Sequence, residues 1–239
     1  RFYNSWLGRQ VFYHGSTNRL STDPQTRNYL QDAMGMVYLQ PERCREAILK
    51  VLSQQEESGA LPDGIRLYED SELKYINQVP HTDHAVWLPV CLQAYLDETD
   101  DYSLLAEPVP NAAGEKVSVF DRAGFAMDHL SNQLDDRDLS LIAQGDWCDP
   151  MNMVGPEGRG VSGWLSIATV HALNLWADVC RRMDRSEQAI QRESRSRQIA
   201  GAVRKHLWAG DRFARGLTDD GRRFGTREDD EGRLSMNPL

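Results

Sequence analysis

Apolar residues along this chain recur at helical rather than strand spacing. Over residues 42–55 they fall on Cys44, Ala47, Ile48, Val51 and Leu52, the i, i+3, i+4, i+7 stripe of a half-buried helix. Pro41 stands where a first helical turn tolerates a missing N–H. Gly59, Pro62, Asp63 and Gly64 then stop the pattern and open a loop. The same periodicity predicts helices over 27–39, 83–97, 121–134, 162–183 and 187–208, several preceded by a Ser, Thr or Asp suited to capping, Thr82 among them. Strand signals are weak and short. Long polar loops at 14–25, 71–82 and 144–161 carry Trp, His, Tyr and Asn, the composition of working loops rather than of linkers. Helices separated in this way are consistent with a toroid of helical hairpins.

Composition narrows the class. A length of 239 residues suffices for one large domain with a substantial core, and no shift in composition argues for splitting it. Hydrophobic residues at 40% and charged residues at 26% are ordinary for a globular protein. No apolar run approaches the roughly 18–20 positions of a bilayer span, so a membrane protein is not expected. The opening residues, Arg1 to Trp6, lack both an initiator Met and the apolar core of a secretory signal, as expected of a piece of something longer. A formal charge of −9 disfavours nucleic acid and anionic lipid. It leaves room for a small anionic substrate in a locally basic pocket. Cys44, Cys91, Cys148 and Cys180 form no C-x-x-C pair, so neither a zinc ribbon nor a disulfide framework is expected. They read as reduced thiols of a cytoplasmic protein, packed as small apolar residues.

Candidate chemistry concentrates in three segments. The densest is Gln144-Gly145-Asp146-Trp147-Cys148-Asp149-Pro150-Met151-Asn152, where carboxylates flank a tryptophan and Gly145 and Pro150 prevent a helix. Cleaving a glycosidic bond requires a carboxyl still protonated near neutral pH, and an apolar wall raises a carboxyl pKa by disfavouring its anion. Trp147 can supply that wall or stack on a sugar ring. Equally, Asp146 can cap a turn and Trp147 can pack in a core. A second segment, Lys74 to His84, holds His81 and His84 beside Asp83. With no third distant ligand, it reads as hydrogen bonding or capping rather than as a metal site. The third, Asn18 to Asp32, brings many planar donors and acceptors into a helix start, as sugar recognition requires; a solvated loop with a few ion pairs has the same composition. No nucleophile elbow, Walker loop or dinucleotide fingerprint is present.

Together these segments resemble glycoside hydrolase family 94, inverting phosphorylases of β-glucosides. Trp6-Leu7-Gly8-Arg9-Gln10 is similar to the family's linker into its barrel, and Arg27-Asn28-Tyr29-Leu30-Gln31-Asp32 to its Arg-Asp-x-x-Gln-Asp sugar-binding loop. Asp83-His84-Ala85-Val86-Trp87-Leu88 resembles its Asp-Asp-x-x-Trp-Leu helix start, and Asp146-Trp147-Cys148-Asp149 its Asp-Trp-Asn-Asp motif. Asn28, His84 and Cys148 depart from the pattern, and argue against an ordinary cellobiose-cleaving member. The segments 17–24, 78–84 and 149–155 resemble most the branch that acts on cellobionic acid.

The resemblance implies an all-α fold, an (α/α)6 barrel of six helical hairpins. It implies that residues 1–239 are a partial catalytic barrel, lacking the N-terminal β-sandwich and the C-terminal part of the enzyme. It implies Asp149 as general acid, with Arg27, Asn28, Gln31, Asp32, Asp83, Asp146 and Trp147 binding substrate and no metal. Phosphate is already anionic and nucleophilic, so one acid suffices where an inverting hydrolase needs a second carboxylate. The implied reactants are a sugar and inorganic phosphate as co-substrate, with no cofactor, and the implied parent enzyme is a homodimer. Three rivals stand beside this reading: a phosphorylase for cellobiose or another β-glucoside, an inverting hydrolase on a similar toroid, and a carbohydrate-binding fragment without turnover.

Overall fold

The computed structural model of the chain describes Trp6, Arg9 and residues 24–68, 81–148 and 153–229. Among these the structure is mostly helical, with five strands of two or three residues in two small antiparallel sheets. The chain divides into two compact units, Arg1–Gln78 with His84–His129, and Val79–Asp83 with Leu130–Leu239. No helix among the described residues is long and apolar enough to cross a membrane.

In the first unit, helices α1 (Thr26–Met36), α2 (Pro41–Leu52) and α3 (His84–Thr99) pack against one another. Helix α2 begins with Pro at its first turn and buries the predicted stripe of Cys44, Ala47, Ile48, Val51 and Leu52. Each of the larger three contributes about 1.5–3 kcal/mol by leaving water. Helix α3 is apolar on most of its surface and carries an interior proline, Pro89. That proline gives up one backbone bond, a cost offset by burial of Leu88, Cys91, Leu92, Tyr95 and Leu96. The predicted C-terminal ends of α1 and α2 were too long. The chain turns after Met36, and Gln55 lies beyond α2, fully buried, donating from its amide to the carbonyls of Gly59 (2.9 Å) and Arg122 (3.0 Å). Arg122 belongs to helix α4 (Val119–Asn132), which follows the hairpin of β1 (Pro108–Pro110) and β2 (Lys116–Ser118).

In the second unit, α5 (Gly163–Arg182) and α6 (Ser186–Leu207) form a packed helical hairpin around the fully buried Trp176. Asp184 makes its tight connection with φ of 58°, a left-handed conformation that aspartate tolerates better than most residues. A three-stranded sheet, β3 (Val161–Ser162), β4 (Gly216–Leu217) and β5 (Arg223–Phe224), lies at the start of α5. All four cysteines are free and buried, as their reading as packed thiols requires. Cys44 and Cys91 face each other across α2 and α3 at 3.6 Å, and the shared hydrogen bond and burial hold the Cys91 thiol well above its ordinary range.

Candidate active site

The polar face of α1 follows from helical geometry. At 100° per residue, Arg27, Asn28, Gln31 and Asp32 fall within one arc, while Leu30, Ala33 and Met36 point into the core. Arg27 is itself buried, and its Nε donates to Gln25 Oε1 at 3.2 Å. Asn28 donates its amide to the same oxygen at 3.4 Å. The entry to α1 is stitched to the loop at 62–65. The Thr26 N–H donates to the Asp63 carbonyl at 3.0 Å, the Ile65 N–H to the Pro24 carbonyl at 2.8 Å, and the Thr26 hydroxyl to the Pro62 carbonyl. Asp63 is held in turn by His84, whose Nε2 lies 2.6 Å from Asp63 Oδ1, both side chains closed off from solvent. His84 was expected to bond a substrate or cap a helix; it anchors this loop instead.

The second unit positions the segment ahead of Asp149. Thr82, expected to cap the following helix, donates its backbone N–H and its hydroxyl to the Gly145 carbonyl, each at 3.1 Å. Asp146 is fully buried. One of its oxygens accepts the Cys148 N–H at 2.8 Å, closing a turn, and the other accepts the Ser162 hydroxyl. Burial pushes the Asp146 carboxyl above its ordinary 3.8; the donors Ser162 and Cys148 N–H and the nearby Arg215 oppose this, and the buried Asp83 adds to it. Trp147 is 41% exposed, and its ring stacks on Trp164 at 5.6 Å between centroids and 19° between planes, an offset arrangement that fixes ring orientation. Of the two open readings, the turn cap holds for Asp146 and the core position does not hold for Trp147.

Within the first unit, then, Arg27, Asn28, Gln31 and Asp32 share one helix face; within the second, Asp83, Asp146 and Trp147 are grouped. Asp149, the loops at 14–23 and 71–80, Pro150 to Asn152, and the tail from 230 lie outside the described residues. Sequence reasoning missed Asp63, Trp164 and Arg215. Only Trp164 left a signal, as an aromatic two residues beyond the capping Ser162, which accepts the Leu165 N–H at 2.9 Å.

Residues 12–239 match the catalytic domain of the glycosyl hydrolase 94 superfamily, and the chain belongs to that family. It is 60% identical over 237 residues to a cellobionic acid phosphorylase of Neurospora crassa, which covers 99% of this chain and 30% of that protein. It is 34% identical to a 3-O-beta-D-glucopyranosyl-beta-D-glucuronide phosphorylase of Paenibacillus borealis, over 99% of this chain and 31% of that one. The chain therefore spans about three tenths of the length of these relatives. In three dimensions it is similar to a family 78 rhamnosidase of Bacillus sp. GL1, with a TM-score of 0.63 at 15% identity, covering 83% of this chain and 19% of that one. At that identity the likeness is one of fold alone.

Proposed function

We propose that the chain is part of the (α/α)6 catalytic barrel of an inverting phosphorylase that converts cellobionic acid and inorganic phosphate into α-D-glucose 1-phosphate and D-gluconate. The observation that carries this reading is the 60% identity, across 99% of the chain, to a protein named for that reaction. The relative from P. borealis is also named for an acidic glucoside. In the mechanism, Asp149 protonates the departing glycosidic oxygen while phosphate attacks C1 from the opposite face through an oxocarbenium-like transition state. Asp149 directly follows the buried turn of Asp146 and the half-exposed ring of Trp147, which offers an indole face to the glucosyl ring. Arg27, Asn28, Gln31 and Asp32 supply the planar donors and acceptors that read sugar hydroxyls. Asp83 and Asp146 are closed off from solvent, and Asp146 holds the turn that precedes Asp149 in the chain. Asn28, standing where the family pattern has an acid, removes negative charge that an anionic substrate would meet.

The test is release of glucose 1-phosphate by the full-length polypeptide from cellobionic acid, cellobiose, chitobiose and the glucosyl glucuronide, each with and without phosphate. Strict phosphate dependence with preference for cellobionic acid is the expected result. Free glucose formed without phosphate would assign the site to a hydrolase. Asp149→Asn should bind sugar and lose turnover by at least about 10²-fold, the contribution typical of a general acid.

A further inference from the structure

Two segments of the second unit meet at Trp147. The turn at Asp146 fixes the backbone beneath the indole, where Asp146 accepts the Cys148 N–H at 2.8 Å and the Ser162 hydroxyl. A fixed backbone still leaves two side-chain torsions, and 41% of the Trp147 side chain is exposed rather than held by a core. Trp164 restrains those torsions, its ring stacked on that of Trp147 at 5.6 Å between centroids and 19° between planes. It can do so because its own base is rigid. Trp164, half-buried, is the second residue of α5. Just before it, the Ser162 N–H donates to the Ser140 carbonyl at 2.9 Å and the Gly163 N–H to the Arg215 carbonyl at 2.7 Å. A methyl group on Gly163 would stand 2.5 Å from the Ala214 carbonyl oxygen, so only glycine lets the helix start this close to β4. Just after it, the Leu165 N–H donates to Ser162 Oγ at 2.9 Å, and Ser166 Oγ donates to the Ser162 carbonyl at 2.7 Å while accepting the Ser140 N–H at 2.9 Å. The loop entering β3 is held as well. Asp219, in the turn between β4 and β5, accepts the N–H groups of Glu157 and Arg159 at 2.7 Å each and of Gly160 at 2.9 Å.

The same two segments are therefore joined twice, Ser162 holding the backbone at Asp146 and Trp164 holding the side chain at Trp147. We infer that Trp164 is a positioning residue of the glucosyl subsite, presenting the Trp147 indole to the sugar ring without touching the sugar. This inference rests on the proposed role of Trp147 as the platform for that ring. The gain is preorganisation, since an indole already oriented loses little rotamer freedom when a sugar stacks on it. A platform meets the glucosyl ring and not the group joined to it. Trp164 therefore acts on the glucosyl donor and leaves recognition of the acceptor unchanged.

The experiment runs the full-length enzyme in the direction of synthesis, from glucose 1-phosphate and D-gluconate, and measures the two KM values separately. Trp164→Ala should raise KM for glucose 1-phosphate by about threefold to tenfold, the range an aromatic pair supplies, while KM for gluconate changes by less than about twofold. Trp164→Phe keeps an aromatic face for the stack and should recover most of the loss. Neither KM depends on how much of the protein is folded. In the Trp147→Ala background, Trp164→Ala should change KM for glucose 1-phosphate no further, because a positioning residue acts only through the ring it orients. An equal rise in both KM values, or a Trp164→Ala effect that persists in full without Trp147, would overturn the inference and leave Trp164 a packing residue of α5. Trp147→Ala alone separates the two claims. If it leaves KM for glucose 1-phosphate unchanged, the platform fails and the inference with it, whereas a rise in Trp147→Ala but not in Trp164→Ala defeats only the positioning role.

Discussion

Replacing His84 by the acid that the family pattern carries there should be one of the most damaging single changes in the first unit, and the reason is Asp63. His84 Nε2 and Asp63 Oδ1 are 2.6 Å apart, with 3% and 6% of the side chains exposed. An aspartate at 84 is shorter by roughly 1 Å, so its carboxylate would stand about 4 Å from that of Asp63. At an effective dielectric of about 20, two like charges at this distance repel by about 4 kcal/mol. His84→Ala removes the bond without adding charge and should cost about 3 kcal/mol, because the Asp63 carboxylate stays buried. Hydrogen exchange by mass spectrometry reads this locally, through amide protection in α1 and α3. A loss of about 3 kcal/mol lowers protection by roughly 10²-fold, since each 1.4 kcal/mol is about tenfold. Adding Asp63→Asn to His84→Asp supplies an amide donor to the new carboxylate and should recover most of the loss. If His84→Ala and Asp63→Ala instead add to within about 0.5 kcal/mol, and His84→Asp is as protected as the parent, the pair is not coupled and the reasoning fails.

Two further outcomes follow from the second unit. Gly160→Ala forces backbone apart at Gly155 and Val154 and should cost about 1–3 kcal/mol, seen as faster exchange over residues 154–160 with helix α5 unaffected; unchanged exchange there would refute the close approach. The Asp146 carboxyl is raised above 3.8 chiefly by burial, beside Asp83 and Arg215, so its ionisation opposes folding. Its favourable contribution is fully present below the unfolded value and is lost as pH rises through the folded one. The stability of the parent relative to Asp146→Asn should therefore decline as pH is raised from about 4 to 7 in denaturant titrations, and a growing advantage would contradict the assignment.

Much of the helical frame was legible because burial imposes a period on the sequence. The stripe from Cys44 to Leu52 and the capping Ser162 are readable one turn at a time. The strands were not, since two or three residues carry no period and their pairing joins positions such as Val161 and Leu217. The Asp146-Trp147 segment was legible as chemistry but not as geometry. That one side chain would be sealed and its neighbour half open depends on Ser162 and Trp164, whose proximity is created by the fold. Asp63 and Asp219 were invisible for the same reason. Each looks like an ordinary turn aspartate beside a glycine or a second acid, and its partners lie 21 and about 60 positions away.

The carboxylate of Asp219, in the turn between β4 and β5, accepts the backbone N–H groups of Glu157, Arg159 and Gly160, and this sets a boundary for anyone transplanting the loop. Residues 144–161 look like a self-contained cassette, with an acid, an aromatic and flanking glycines, but three of their amides are satisfied by a hairpin encoded much later. A chimera that exchanged only the cassette between two relatives would set those three amides against a turn from the other parent. The unit of exchange is discontinuous, the loop together with the turn at 218–221, and recombination breakpoints that keep both from one parent should give the active hybrids.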